Sequence, residues 1–117
     1  MLARLRRGGS VDAGFGGGTV LLPFSQRPAL AVDDRGRALL AGDEKRRKDH
    51  WSFVLGRRTR DGRRDPAFGS GGWARAGFDG FVSAAQVLVG GGGRIVVGGP
   101  LWRGKRYGIA LARFHAH

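Results

Sequence analysis

Apolar residues along the chain fall in short runs rich in Val, Leu and Ile, each bounded by Gly, Asp or Pro. Runs of about four to eight residues with such boundaries predict strands rather than helices, which need longer stretches. Four strands are expected near Thr19–Phe24, Ala29–Val32, Arg37–Ala41 and Trp51–Arg57. Four more follow near Trp73–Phe78, Ser83–Val89, Arg94–Val97 and Tyr107–Phe114. Between paired runs, Asp33-Asp34-Arg35-Gly36 and Gly90–Gly93 supply residues that tolerate the backbone of a tight hairpin turn. The pattern predicts an all-β fold.

The pattern also returns on itself. Gly9-Ser10-Val11-Asp12-Ala13-Gly14-Phe15-Gly16 reappears 53 residues later as Gly62-Arg63-Arg64-Asp65-Pro66-Ala67-Phe68-Gly69, keeping the Gly, Asp, Phe and Gly positions. The stretch Val32–Gly42 reappears 57 residues later as Val89–Gly99. A third block occurs as Leu2-Ala3-Arg4-Leu5, Leu55-Gly56-Arg57-Arg58 and Leu111-Ala112-Arg113-Phe114. Self-similarity at such a period marks stacked β units, here one domain of two units at about residues 1–56 and 57–117. Asp12 and Asp65, each three residues before Phe-Gly, suit side chains that cap their own loops by accepting backbone N–H bonds. Phe15 and Phe68 are then plugs that anchor those loops on the core.

The order Leu-Ala-Arg-Leu, Gly-Ser-Val-Asp-x-x-Phe-Gly, then Gly-Arg before an apolar strand and Gly resembles the delta-60 repeat over nearly the whole chain. That resemblance implies two four-stranded antiparallel β-propeller-like blades, a partial propeller. The family is known mostly as tandem arrays in large bacterial proteins, many of them exported, and it lends no catalytic residue. The second copy departs from the pattern at Arg63, Pro66 and Gly56. A ring needs roughly four to eight blades, and both ends of the sequence fall inside the Leu-Ala-Arg block. Three completions are open: a homo-oligomer, neighbouring repeats of a longer array, or a small open β assembly.

Composition narrows the choice only partly. The formal charge of +12 attracts polyanions, although 23 glycines and an arginine-rich basic set are equally what a GC-rich genome yields. The absence of cysteine excludes disulfides, thiolate zinc sites and a cysteine nucleophile. Met1–Arg7 lacks the apolar core of a signal peptide, and no run approaches a membrane span. A product that stays soluble where it is made is expected, its compartment undetermined.

Candidate chemistry is sparse. Gly99–Lys105 fits the glycine and lysine spacing of a phosphate-binding loop, but Arg106 replaces the hydroxyl that holds magnesium and a strand is expected where the helix should begin. Gly14–Gly18 and Gly69–Gly72 read as flexible connections rather than dinucleotide loops. His50 is expected in a charged loop, and His115 and His117 at a solvated end, so no metal site is expected. Glu44 is the single glutamate and reads as a loop residue, while the aspartates have turn roles. No catalytic residue, cofactor or enzymatic activity is expected.

The remaining candidate is a polyanion surface. Lys45, Arg46, Arg47 and Lys48 form one basic loop, and Arg103, Lys105 and Arg106 form its equivalent. Successive loops of a meander alternate between ends, so these two share one end. Trp51, Trp102 and Tyr107 lie beside them, and basic residues interleaved with aromatics can neutralise and stack a single strand. The opposing reading makes the tryptophans packing between blades. Arg57, Arg58, Arg60, Arg63 and Arg64 are expected at the other end. Two functions follow as expectations: a non-enzymatic propeller-like scaffold or binding module that self-associates, or a small nucleic-acid or polyanion binder.

Overall fold

A computed structural model describes residues 2–16, 19–20 and 28–115. Its strands are β1 (Leu2–Ala3), β2 (Thr19–Val20), β3 (Ala29–Val32), β4 (Ala38–Arg47), β5 (His50–Arg58), β6 (Trp73–Asp79), β7 (Phe81–Val82), β8 (Gln86–Val89), β9 (Arg94–Arg103) and β10 (Arg106–His115). The only helical element among the described residues is a 3₁₀ turn at Gly91–Gly93. The fold is all-β, with two four-stranded antiparallel sheets in an open, partial propeller-like arrangement. One sheet runs β3-β4-β5-β6, the other joins β10 to β9 and β9 to both β7 and β8, and β1 and β2 form a separate pair.

Tight turns set the β3–β4 and β8–β9 hairpins. Asp33 Oδ1 accepts the backbone N–H groups of Arg35 at 3.0 Å and Arg37 at 2.9 Å, closing the β3–β4 hairpin. Gly90 N donates to Arg94 O at 2.8 Å in the equivalent β8–β9 turn. The registers agree as well: Val32 faces Ala38 as Val89 faces Ile95, and Ala41 faces Leu55 as Gly98 faces Leu111.

The expected strand Ser83–Val89 is interrupted. Ser83–Ala85 loops out between β7 and β8, while Ser83 N still donates to Pro100 O and Ala85 N to Gly98 O. A Cβ on Gly99 would overlap the Ser83 carbonyl, so only glycine lets this backbone approach. In an antiparallel ladder a residue's N–H and C=O leave on the same side, so the missing N–H of Pro100 faces the interruption, the setting in which a strand tolerates proline.

The sheets lie face to face over one core. Leu39, Ala41, Phe53 and Leu55 of the first meet Val82, Val87, Ile95, Val97 and Ala110 of the second, with Phe68 closing one end. Asp43 Oδ1 ties the two by accepting Ala84 N at 3.1 Å. A smaller cluster of Leu2, Phe15, Ala38 and Leu40 covers the outer face of the first sheet.

Three further expectations change. The run Trp73–Phe78, expected in the second unit, forms β6, hydrogen-bonds β5 and completes the first sheet, so sheet and sequence unit are one strand out of phase. Glu44 and Lys45–Arg47 lie in β4 rather than a loop, and His50 opens β5. The hairpin arm extends past the core, where solvated strand and loop have the same polar composition. Gly69–Gly72 is a bonded turn, with Ser70 N donating to Trp73 O at 2.8 Å and Gly72 N to Phe68 O at 2.9 Å. The expected strand continuation over 21–24, Gly17, Gly18 and His117 lie outside the described residues.

Candidate functional site: two hairpin tips and two clamped loops

The two basic hairpins come together. Between them runs the short connection from β6 to β7, where Gly80 N donates to Asp49 O and Arg103 Nε donates to Asp79 O at 3.2 Å. Across it runs a row of rings: Trp51 to Phe81 at 4.5 Å, Phe81 to Trp102 at 5.3 Å and Trp102 to Tyr107 at 5.4 Å between centroids. Lys45, Arg46, Arg47, Lys48, Arg103, Lys105 and Arg106 are all exposed around this row, as is Trp102, whereas Trp51 is half-buried. Trp51 packs against Phe81, and Trp102 packs between Phe81 and Tyr107 while staying 39% exposed.

The same end holds acids. Asp49, His50, Asp79, Phe81, Trp102 and Arg103 line a shallow cleft between the hairpins. His50 Nδ1 stands 2.9 Å from Asp79 Oδ1. The sequence placed His50 among loop charges and gave Asp79 no role, because nothing local joins residues on different strands. Glu44 pairs with Arg75 at 2.7 Å on the strand surface. Among the described residues no group of three or more His, Asp or Glu could hold a metal ion.

The phosphate-loop spacing at Gly99–Lys105 lies across the β9–β10 hairpin. A strand, Arg106–His115, follows it, so no helix N-terminus faces that turn.

At the opposite end, two loops are built by one set of bonds. Asp12 Oδ1 accepts Gly14 N at 2.9 Å and Asp65 Oδ1 accepts Ala67 N at 3.0 Å, the caps anticipated from sequence. The second carboxylate oxygen takes an arginine in each case: Arg4 Nε donates to Asp12 at 3.1 Å and Arg57 Nε to Asp65 at 2.7 Å. Each guanidinium also lies over the phenylalanine plug of its loop, Arg4 5.0 Å from the Phe15 centroid and Arg57 4.9 Å from that of Phe68. Hydrogen bonds from Gly14 and Arg4 hold the Asp12 carboxyl below the ordinary aspartate range.

The arginine half of this clamp was not anticipated. Arg57 is 2% exposed, so it is no part of a surface charge set, although Arg58 and Arg64 do share that end through a bridge between their backbones. Burial, then the charge of Arg64, lowers the proton affinity of Arg58. The readable signal was the arginine eight residues before each aspartate.

Fold and ends together define an open, all-β, propeller-like protein with a mixed-charge aromatic tip. Compared with family models, curated proteins and solved structures, the chain matches none.

Proposed function

We propose that this chain is a non-enzymatic, propeller-like β repeat module, akin to the delta-60 repeat, that acts as a scaffold or binding surface and is completed by self-association or by neighbouring repeats. One observation carries the reading. Among the described residues the outer strand of the second sheet, β10, has no strand on its far side, and Tyr107, Ile109 and Leu111 on it are 69%, 75% and 69% exposed. The corresponding strand of the first sheet, β5, is paired on both edges and buries Phe53 and Leu55. Open backbone and an apolar stripe on one strand mark an interaction edge. Molar mass in solution tests this: an assembly larger than the 12.5 kDa chain is expected, and a monomer at every concentration refutes self-association.

A second reading is favoured by the ring row. The exposed faces of Trp102 and Tyr107 beside Arg103, Lys105 and Arg106 suit stacking and charge neutralisation of a single-stranded polyanion, while Asp49 and Asp79 in the same cleft oppose it.

A further inference from the structure

Strand β1 and the end of strand β10 carry the same three residues, Leu2-Ala3-Arg4 and Leu111-Ala112-Arg113. The first set is seated. Leu2 packs with Phe15, Ala38 and Leu40, Leu2 and Ala3 pair with Val20 and Thr19 of β2, and Arg4 grips Asp12 at 2.9 Å over Phe15. The second set is not: Leu111 and Arg113 are exposed, and no carboxylate pairs with Arg113 among the described residues.

A third segment shows what such residues do when the sheet is complete. Leu55-Gly56-Arg57 pairs with β6 in the register that Leu2-Ala3 keeps with β2, Leu55 facing Ala74 and Gly56 facing Trp73, and Arg57 grips Asp65. Among the described residues the second sheet therefore has the strands corresponding to β3, β4 and β5 but none corresponding to β6. The β1–β2 pair has strands corresponding to β5 and β6 but, among the described residues, none corresponding to β3 and β4. The two partial sheets overlap in one strand only, and in that strand their three residues are identical.

We infer that β10 of one chain displaces β1 of a second copy, so that Leu111-Ala112-Arg113 occupies the seat of Leu2-Ala3-Arg4. Leu111 then enters the cluster of the second copy's Phe15, Ala38 and Leu40. Arg113 pairs with its Asp12, and β2 becomes the fourth strand beside β10. Ala112 suits a seat built for Ala3 where Gly56 would not be required. The partner is a second copy because the seat is present on this chain and already accepts this tripeptide, with the matching charge. This deepens the self-association proposed above and rests on it. The contact joins different surfaces of the two copies, so it closes a ring or extends a filament. Each copy contributes two sheets, and closure at roughly four to eight blades requires two to four copies.

The chain has no native cysteine, which makes a cross-linking test clean. Full-length chains carrying Val20→Cys are mixed with chains carrying Leu111→Cys and oxidised, with Arg35→Cys at a hairpin tip as control. A mixed disulfide at least tenfold above the control is expected. By light scattering, Arg113→Asp should weaken association at least tenfold and Arg4→Ala, which loosens the competing β1, should strengthen it. Association that persists with no mixed disulfide and no response to Arg113→Asp overturns the strand exchange while leaving self-association intact. A chain that is monomeric throughout overturns both.

Discussion

The guanidinium of Arg57 lies 2.7 Å from Asp65 and 4.9 Å from the ring centre of Phe68, sealed from water at the end of the main core. Its counterpart, Arg4 with Asp12 and Phe15, makes the same contacts with the Arg4 side chain 43% exposed. The two clamps have the same chemistry and differ in burial, and burial decides what each is worth. Removing the carboxylate beside a buried guanidinium costs far more than removing one beside a guanidinium that water can reach.

Asp65→Ala should therefore destabilise the protein by about 3–5 kcal/mol, a large share of the roughly 5–15 kcal/mol that holds a domain together. Asp12→Ala should shift the midpoint of denaturant unfolding far less. Urea titration of both variants checks this, and equal losses would show that the loop cap, not the buried charge, supports the fold.

Gly56 stands opposite Trp73, and a Cβ at position 56 would overlap the Trp73 ring, with Cε3 at 2.8 Å. Ala3 and Ala112 occupy corresponding places without a tryptophan opposite. Gly56→Ala should destabilise by about 1–3 kcal/mol through overpacking, and Trp73→Thr in the same chain should recover part of that loss. Thermal or urea unfolding of the single and double variants measures it, and an additive double variant would refute the steric cause.

These examples show what was legible in sequence and what was not. Short apolar runs and turn residues revealed most of the strands, the hairpins at Asp33–Gly36 and Gly90–Gly93, and the capping roles of Asp12 and Asp65, because each depends on residues close along the chain. Periodicity names an element but not its neighbour, so the run Trp73–Phe78 reads with the unit it resembles rather than with β5, to which it bonds. Arg57 looked like surface charge because its partners, Asp65 and Phe68, lie across a loop. Lys45–Arg47 looked like a loop because strand residues beyond the core meet water on both faces and carry no apolar signal. The meeting of His50 with Asp79 depended on β6 pairing beside β5, and that of Trp51 with Phe81 on how the two sheets pack, and no local pattern encodes either.

Asp33 gives the fold an acid-sensitive hairpin. Burial raises its pKa, but hydrogen bonds from the Arg37 backbone and side chain and from Arg35 N–H outweigh it and hold the carboxyl below its ordinary value of 3.8. A group whose folded pKa is depressed contributes stability above its unfolded pKa and loses it as pH falls through the folded one. The β3–β4 hairpin should weaken as pH drops below 3.8, and Asp33→Asn should flatten that part of the acid profile. Hydrogen exchange at Arg37 and Leu39, whose N–H groups face β3, checks this across the acid range.

The mixed-charge tip makes a sharp prediction because its opposite end offers a fair control. Lys45, Arg46, Arg47, Lys48, Arg103, Lys105 and Arg106 surround a row of rings, whereas Arg60, Arg63 and Arg64 do not. Arg57 cannot serve in that control set, since neutralising it would leave Asp65 unpaired and unfold the loop. If polyanions are held by stacking as well as charge, Trp102→Ala should weaken binding of a single-stranded oligonucleotide by about 1–3 kcal/mol without changing the salt slope. Neutralising Arg103, Lys105 and Arg106 should instead lower that slope, because each phosphate contact releases counterions. Fluorescence titration at several salt concentrations separates the two effects. Equal losses from neutralising Arg60, Arg63 and Arg64, with no effect of Trp102→Ala, would reduce the interaction to the pull of net charge.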